Sequence, residues 1–463
     1  MSYKSLQRFC EFYYEKNIRR DVIKKFNRII PLSSGINNLP CLPVIKNAFI
    51  KEYENDSIYT SYTDHCGNKL LLSSLAYEIN MKNKNSSFKL EPFKNICRTF
   101  GGTGALSAIF EYFSTKKNVK NVLVLGLNYS LFSWWCEYLK FDYRIYSSDD
   151  PTRNLPTFDE VVEQVETYQP DLIILTQPTN PTGELYSSSE LEEIVNYFHK
   201  KGIWLLYDDV TNMYNPFDYI CPSIFNYFKT EEYPHKFIFV SSFSKSRSLA
   251  GMRYGYVIAN TEICKYLYTY YDSRFWSTQN VGSVALSKDI LYRTLVPVKV
   301  ETETETSDRI VSQMLKMYRH WINILSPYAQ DLTFRENNFN YIIPSGGWDD
   351  ELNQYLIQLM DIYKVYSSNI KIASKELQPY IRNEINVAGG FNYCIKLNIN
   401  LTEREFCVNA FEKAGIDFYT QSVFDKEDDY DKKDYYVRLS AAMDSDLFNI
   451  GIERFIDFIK SHQ

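Results

Sequence analysis

Ser241-Ser242-Phe243-Ser244-Lys245-Ser246-Arg247-Ser248-Leu249-Ala250-Gly251-Met252-Arg253-Tyr254-Gly255-Tyr256 sets one lysine among hydroxyls and closes with Gly-x-Arg-x-Gly. Most lysines are solvated surface charges. A lysine placed among small polar groups near a second cation loses basicity, and its neutral amine can then condense with a carbonyl. Lys245 reads as such a Schiff-base lysine, and Arg253, eight residues on, is the second cation. The run is bounded by two short apolar stretches of strand length, Phe237–Ser241 and Gly255–Ile258.

Working outward, Asn121–Leu127, Tyr143–Tyr146, Asp171–Thr176 and Trp204–Tyr207 also read as strands, with helices between them at Phe158–Tyr168 and Glu190–Lys200. Ser189 and Glu192 form a capping box for the second helix. The alternation predicts an α/β fold with a mostly parallel sheet covered by helices on both faces. Ligands in such sheets sit at the carboxyl ends of the strands.

Four segments place chemistry at those ends. Phe100-Gly101-Gly102-Thr103-Gly104-Ala105-Leu106 is a glycine turn opening a helix; it suits a phosphate cup, or an ordinary helix start. Gln177-Pro178-Thr179-Asn180-Pro181-Thr182-Gly183 follows the apolar Leu172–Leu175 and fixes an amide between two prolines. Trp204-Leu205-Leu206-Tyr207-Asp208-Asp209 ends a strand in paired carboxylates, suited to capping the next helix or to holding a proton on a pyridine nitrogen. Tyr435-Tyr436-Val437-Arg438-Leu439-Ser440 puts an arginine inside an apolar strand, where a planar anion such as a substrate carboxylate is the natural partner.

In this order the segments resemble the fold type I pyridoxal-5′-phosphate-dependent enzymes of the class I/II aminotransferase family, from about Leu32 to the C-terminus. The resemblance implies that Gly102 and Thr103 bind the phosphate, with Ser242 and Arg253 completing its site, and that Lys245 carries the cofactor. It implies that Tyr129 stacks on the pyridine ring, Asn180 bonds its phenolic oxygen and Asp208 pairs with its nitrogen. Arg438 would bind the substrate α-carboxylate, and Gly35 would line the substrate pocket. Tyr62 and Ser277-Thr278 resemble the family's contacts to a neighbouring subunit's phosphate, which implies a homodimer with shared sites. Where the family carries a tyrosine three residues after the pyridinium aspartate, this chain has Thr211; Tyr214 lies one turn later, before an insertion from Asn215 to Pro234.

The implied activity is amino transfer from an amino acid to a 2-oxo acid. The alternatives are a lyase, substitution enzyme or cyclase using the same cofactor, and a cofactor-binding regulator without catalysis. Such regulators resemble this chain fused to a winged helix, for which Met1 to Ile30 is too short.

Composition excludes other classes. At 463 residues with net charge −6 and no basic stripe, nucleic acid is not the expected partner. Nine cysteines without a Cys-x-x-Cys and five isolated histidines offer neither a disulfide framework nor a metal site. No signal-peptide pattern and no membrane-length apolar run is present, so the expected setting is cytoplasmic. The expected organisation is an N-terminal segment, 1–60, joining a small C-terminal domain, 298–463, around a large cofactor-binding domain, 61–297.

Overall fold

Strands buried on both faces must be apolar at every position, and the apolar runs of the sequence become such strands. A computed structural model of the chain describes residues 14, 18–54, 56–60, 62–63, 67–83, 88–213, 224–279, 281–301, 312, 348–426 and 430–463. A two-residue strand, β1 (Ile30–Pro31), is followed by β2 (Ile96–Phe100), β3 (Asn121–Leu125), β4 (Asp142–Tyr146), β5 (Leu172–Thr176), β6 (Trp204–Asp208), β7 (Phe237–Ser242) and β8 (Tyr254–Ile258). Strands β2 to β8 form one sheet in the order β2-β8-β7-β6-β5-β3-β4. The pairs β3–β4, β3–β5, β5–β6 and β6–β7 are parallel, and β8 runs antiparallel to both its neighbours.

Period-2 alternation divides each strand between two layers. Ile173, Leu175, Leu205 and Tyr207 enter the core on one face. Leu172, Ile174, Trp204 and Leu206 enter the core on the other. The helix at Phe158–Tyr168 forms as expected, opened by a Thr157/Glu160 capping box. The next helix runs from Ser188 to Lys201, and its cap is Ser187, whose hydroxyl accepts from the Glu190 N–H. Ser189, expected as the cap, lies inside the first turn, because the chain turns helical two residues earlier. Strand β2 has no counterpart among the expected strands: Arg98 and Thr99 interrupt its apolar pattern. The structure buries both, with Arg98 donating to Ser283 Oγ (2.9 Å) and the Val281 carbonyl (3.2 Å).

The C-terminal region builds a second core on β9 (Ile381–Glu384), β10 (Asn392–Leu397), β11 (Ile416–Asp417), β12 (Tyr419–Thr420) and β13 (Val437–Ser440). Four of these form an antiparallel sheet, β12-β13-β10-β9, while β11 pairs in parallel with β1. The N-terminal segment thus packs Ile30 and Leu32 into the second core, and Ile45 and Phe49 into the first. A 30-residue helix, Trp348–Leu377, crosses between them: Leu352, Tyr355 and Leu359 lie in the first core, Tyr366, Ala373 and Leu377 in the second. Tyr214, residues 215–223 of the insertion, and two of the histidines, His65 and His320, lie outside the described residues. Among the described residues no helix is long and apolar enough to cross a membrane, and no cluster of His, Cys, Asp and Glu could hold a metal ion.

Strand β8 presses closely on the glycine turn that follows β2. A Cβ added at Gly255 would stand 2.5 Å from the Gly101 carbonyl carbon and 2.8 Å from its Cα. Gly255→Ala is therefore expected to lower stability by about 1–3 kcal/mol, the usual cost of overpacking. Gly251→Ala, whose added Cβ meets nothing within 4 Å, should stay within about 0.5 kcal/mol of the parent, as ordinary surface substitutions do. Urea unfolding of the two variants checks the contrast.

Candidate active site

At the carboxyl ends of β2, β6 and β7 the structure gathers the glycine turn, a carboxylate and the lysine. Gly101 opens the helix Gly101–Tyr112 at φ +69°, and a Cβ there would sit 2.9 Å from the Arg253 guanidinium. Only glycine leaves the first N–H groups of that helix accessible beneath the arginine. Gly102 and Thr103 lie in its first turn, with Gly102 closed on one side by Val210. Asp208 ends β6 and accepts from the Val210 N–H at 2.9 Å. Ser242 ends β7 and accepts from Ser244 N–H, capping the short helix Phe243–Ser246 that carries Lys245. Asn37, which the sequence reading passed over, donates from its amide to the Lys245 carbonyl at 2.8 Å.

A second group lies where the two cores meet. Arg438, buried on β13, donates to Asn180 Oδ1 at 2.8 Å and to the Ser33 carbonyl. Asn392 donates to the same Asn180 oxygen at 3.4 Å. Gly35 lies against the guanidinium, where a Cβ would approach to 3.4 Å. Phe424 and Tyr419 lie beneath it, with ring centroids 4.8 and 5.6 Å away. The Arg438 Nε is buried with no hydrogen-bond partner. Asn392 and Ser33 carried no sequence signal, since their contacts join segments hundreds of residues apart.

Tyr129 is exposed at the start of the helix Ser130–Leu139. Tyr62 is 75 % exposed and contributes nothing to this chain's own cluster. Its neighbour Thr63 donates to the Thr278 carbonyl at 3.3 Å, so the two segments assigned to a neighbouring subunit lie side by side. The Thr211 hydroxyl donates to the Pro178 carbonyl, tying the turn after β6 to the turn after β5.

The charges of the site lack opposite partners. Among the described residues no carboxylate pairs with Lys245, Arg253 or Arg438. Burial, reinforced by the positive charges of Arg438 and Arg253, lowers the Lys245 amine to about 8. Burial likewise brings Arg438 down to about 10 and raises Asp208 to about 6, against the opposing Val210 N–H bond. Asp209 rises to about 7 through burial, although Asn212 and Ser241 both donate to it.

An unpaired lysine, an unpaired carboxylate and a cationic phosphate cup at one sheet edge call for an anionic, carbonyl-bearing ligand with a protonatable ring. Residues 27–389 match the family described as Aminotransferase class I and II. The chain belongs to this family.

Members of the class I/II aminotransferase family depend on pyridoxal 5′-phosphate, and the residues present fit it. The cup that a Cβ would fill at Gly101 suits the phosphate, the unpaired Lys245 suits the carbonyl, and buried Asp208 suits the ring nitrogen. Similar curated relatives include histidinol-phosphate aminotransferase 1 of Carboxydothermus hydrogenoformans, 27 % identical over 41 % of this chain and 49 % of that protein. The asparagine–oxo-acid transaminase of Streptococcus mutans is 30 % identical over 35 % of this chain and 41 % of that protein. The matched stretch thus spans about half the length of these relatives or less. An aminotransferase structure from Mycobacterium tuberculosis superposes with a TM-score of 0.70 at 14 % identity, covering 97 % of each chain. Substrate-bound BacF of Bacillus subtilis gives 0.67 at 16 % identity, covering 95 % of this chain and 93 % of its own. At such identities these structures establish the fold.

The Lys245 amine reacts only when neutral, so its lowered pKa fixes a pH dependence. Capture of pyridoxal phosphate by the ligand-free protein should rise with pH through a midpoint near 8, against about 10.4 for a solvated lysine. Borohydride trapping across pH, with the modified residue located by mass spectrometry, measures this midpoint.

Proposed function

We propose that the chain is a pyridoxal-phosphate-dependent aminotransferase that moves the amino group of an α-amino acid to a 2-oxo acid. The observation that carries this reading is Arg438: a buried guanidinium with no carboxylate in ion-pair contact among the described residues, Asp417 acting on it only at longer range, its Nε unbonded, held by the Asn180 amide and acting on the charge of Lys245. A buried arginine of this kind is costly unless an anion completes it. A substrate α-carboxylate supplies two oxygens in the planar geometry that the guanidinium fork accepts.

Pyridoxal phosphate, when bound, supplies a carbonyl that condenses with amines and a ring that withdraws electron density from the substrate's α-carbon. Lys245 would hold the cofactor's carbonyl carbon and, once its amine is free, would take the proton from the substrate's α-carbon; an amine pKa near neutrality suits that transfer. Asp208 holds a proton at the ring nitrogen. Arg438 fixes the carboxylate and hence the direction of the α C–H bond. Asn180, Tyr129, Ser242, Arg253, Gly102, Thr103 and Gly35 hold and line the cofactor and substrate as the family's pattern implies.

The active unit in this reading is a homodimer, with Tyr62 reaching the second site. Its support is a set of exposed apolar side chains on the chain segments that precede Tyr62 and Thr278, two segments joined by the Thr63–Thr278 bond: Ile50, Tyr53, Tyr59, Phe275 and Trp276. The two cores support a large cofactor-binding unit, about 61–297, and a smaller unit from 298 onward, which β1 joins through its pairing with β11. A reducing, cytoplasmic setting fits the six described cysteines, none of which forms a disulfide with another described residue.

The test is incubation of the purified protein and cofactor with single amino acids, with and without a 2-oxo acid. Formation of a new amino acid only when the 2-oxo acid is present is the expected result; ammonia or a cyclised product without an acceptor would overturn amino transfer. Lys245→Ala should abolish turnover and borohydride-trappable cofactor. Removing one member of a buried charged pair costs on the order of 2–5 kcal/mol. Arg438→Ala should therefore lose roughly 30-fold or more in kcat/KM, and an unchanged value in the amino-acid half-reaction would remove its carboxylate role.

A further inference from the structure

Two residues beyond Lys245, the Arg247 side chain turns away from the cofactor cluster into a buried ionic network. Its Nε donates to Asp289 Oδ1 at 2.6 Å, with both side chains essentially inaccessible. A second nitrogen donates to the Tyr355 hydroxyl at 3.3 Å, and the third returns to the Ser246 carbonyl at 2.8 Å. Tyr355 in turn donates to Asp289 Oδ1 at 2.7 Å, closing a triangle. Asp289 stands on the helix Ser283–Glu301 and Tyr355 on the helix Trp348–Leu377.

The network extends. Arg293, one turn after Asp289, places a nitrogen 3.7 Å from Asp289 Oδ2 and also pairs with Glu78 on the helix Lys69–Lys82. Lys82 closes on the same Glu78 at 2.6 Å. Burial works against the Glu78 charge, but Arg293 and Lys82 outweigh it and hold the carboxyl at about 2. The Arg293 guanidinium also lies 5.6 Å from the ring centre of Phe243, in the same short helix as Lys245. Two helices, Ser283–Glu301 and Trp348–Leu377, therefore hold Arg247 of the lysine turn, and a third, Lys69–Lys82, is tied to the first through Glu78 and Arg293.

A buried ion network contributes little stability beyond what apolar side chains of the same volume would give. What it supplies is direction, because a guanidinium fork engaged by a carboxylate and a hydroxyl has one geometry while packed methyls have several. We propose that Arg247, held by Asp289 and Tyr355, is a positioning residue for Lys245: it locks the lysine turn to the helix that runs on into the core carrying Arg438. The inference rests on the reading of Lys245 as the cofactor lysine. In the locked turn the Lys245 side chain is held half-buried, with Arg438 on β13 and Arg253 before β8 the charged groups that act on it. Loosening the turn admits water, relieves the burial, and moves the amine back toward ordinary lysine behaviour.

The test uses the full-length protein with Tyr355→Phe, which removes one hydroxyl, and Arg247→Lys, which keeps the charge but loses the fork. Ligand-free wild type and variants are mixed with pyridoxal phosphate across pH, trapped with borohydride, and the modified lysine is located. Both variants should shift the capture midpoint upward by about half a pH unit or more, with Tyr355→Phe, which keeps the Arg247–Asp289 pair, shifted less than Arg247→Lys. A midpoint equal to wild type in both variants, whether or not melting temperature falls, would overturn the positioning role and leave the network merely structural. Trapping of wild type at a lysine other than Lys245 would instead overturn the underlying assignment, and this inference with it.

Discussion

A buried cation that makes no ion pair among the described residues is the constraint around which this site is arranged; Asp417 acts on Arg438 only from beyond contact distance. Arg438 has lost its water to Phe424, Tyr419 and the backbone at Ser33, and what it receives in return is an amide oxygen and a carbonyl. Neither neutralises it. Lys245, half-buried, and Arg253, exposed, likewise make no ion pair among the described residues, while Asp208 is buried at the end of the neighbouring strand. Charges of both signs are thus held apart at one sheet edge, a state that folding alone does not favour. The carboxyl ends of parallel strands are the place where this is possible, because the strand interiors are sealed by two apolar cores and only their ends carry polar groups.

The sequence disclosed the parts that depend on local pattern. Runs such as Leu172–Leu175 and Trp204–Tyr207 are apolar at every position because both faces of β5 and β6 are covered, and their ends carried the polar residues of the cluster. Thr157 and Glu160 cap a helix that was legible from its periodicity. Strand β2 was hidden because Arg98 breaks the apolar run; its guanidinium donates to residues 281 and 283, far along the chain. The same distance concealed the Asn180–Arg438 bond and the Arg247 network, whose partners lie 42 and 108 residues away. A pattern read over ten or twenty residues contains the groups but not their pairing.

The two adjacent carboxylates at the end of β6 illustrate how the structure separates residues that sequence alone leaves equivalent. Successive side chains of a strand point to opposite faces. Asp209 accepts from the Asn212 amide and the Ser241 hydroxyl, so its oxygens are engaged by neighbours of its own layer. Asp208 accepts a single N–H, from Val210, the residue whose side chain also closes the Gly102 turn. Only Asp208 keeps an oxygen for a further donor beside the phosphate cup. Burial raises both carboxyls, and a cationic ring nitrogen would relieve that strain at Asp208 alone.

Thr211 follows from the same geometry. Three residues beyond Asp208, where the family's tyrosine would reach the ring, the threonine hydroxyl is committed to the Pro178 carbonyl. That bond joins the turn after β6 to the turn bearing Asn180, and Gly390 packs against the Thr211 carbonyl from the second core, where a Cβ would come within 3.5 Å. Residue 211 therefore acts as a brace between the segments that present Asp208 and Asn180. Without a tyrosine donor from this position, the proposed reading leaves Asn180 as the described side chain that would serve the ring's phenolic oxygen. Its own carbonyl oxygen is held by Arg438 and Asn392, which leaves the amide N–H₂ as the group it can present. In the proposed reading, a substrate carboxylate that drew on Arg438 would act on the same amide, and carboxylate binding would be coupled to the ring through one side chain.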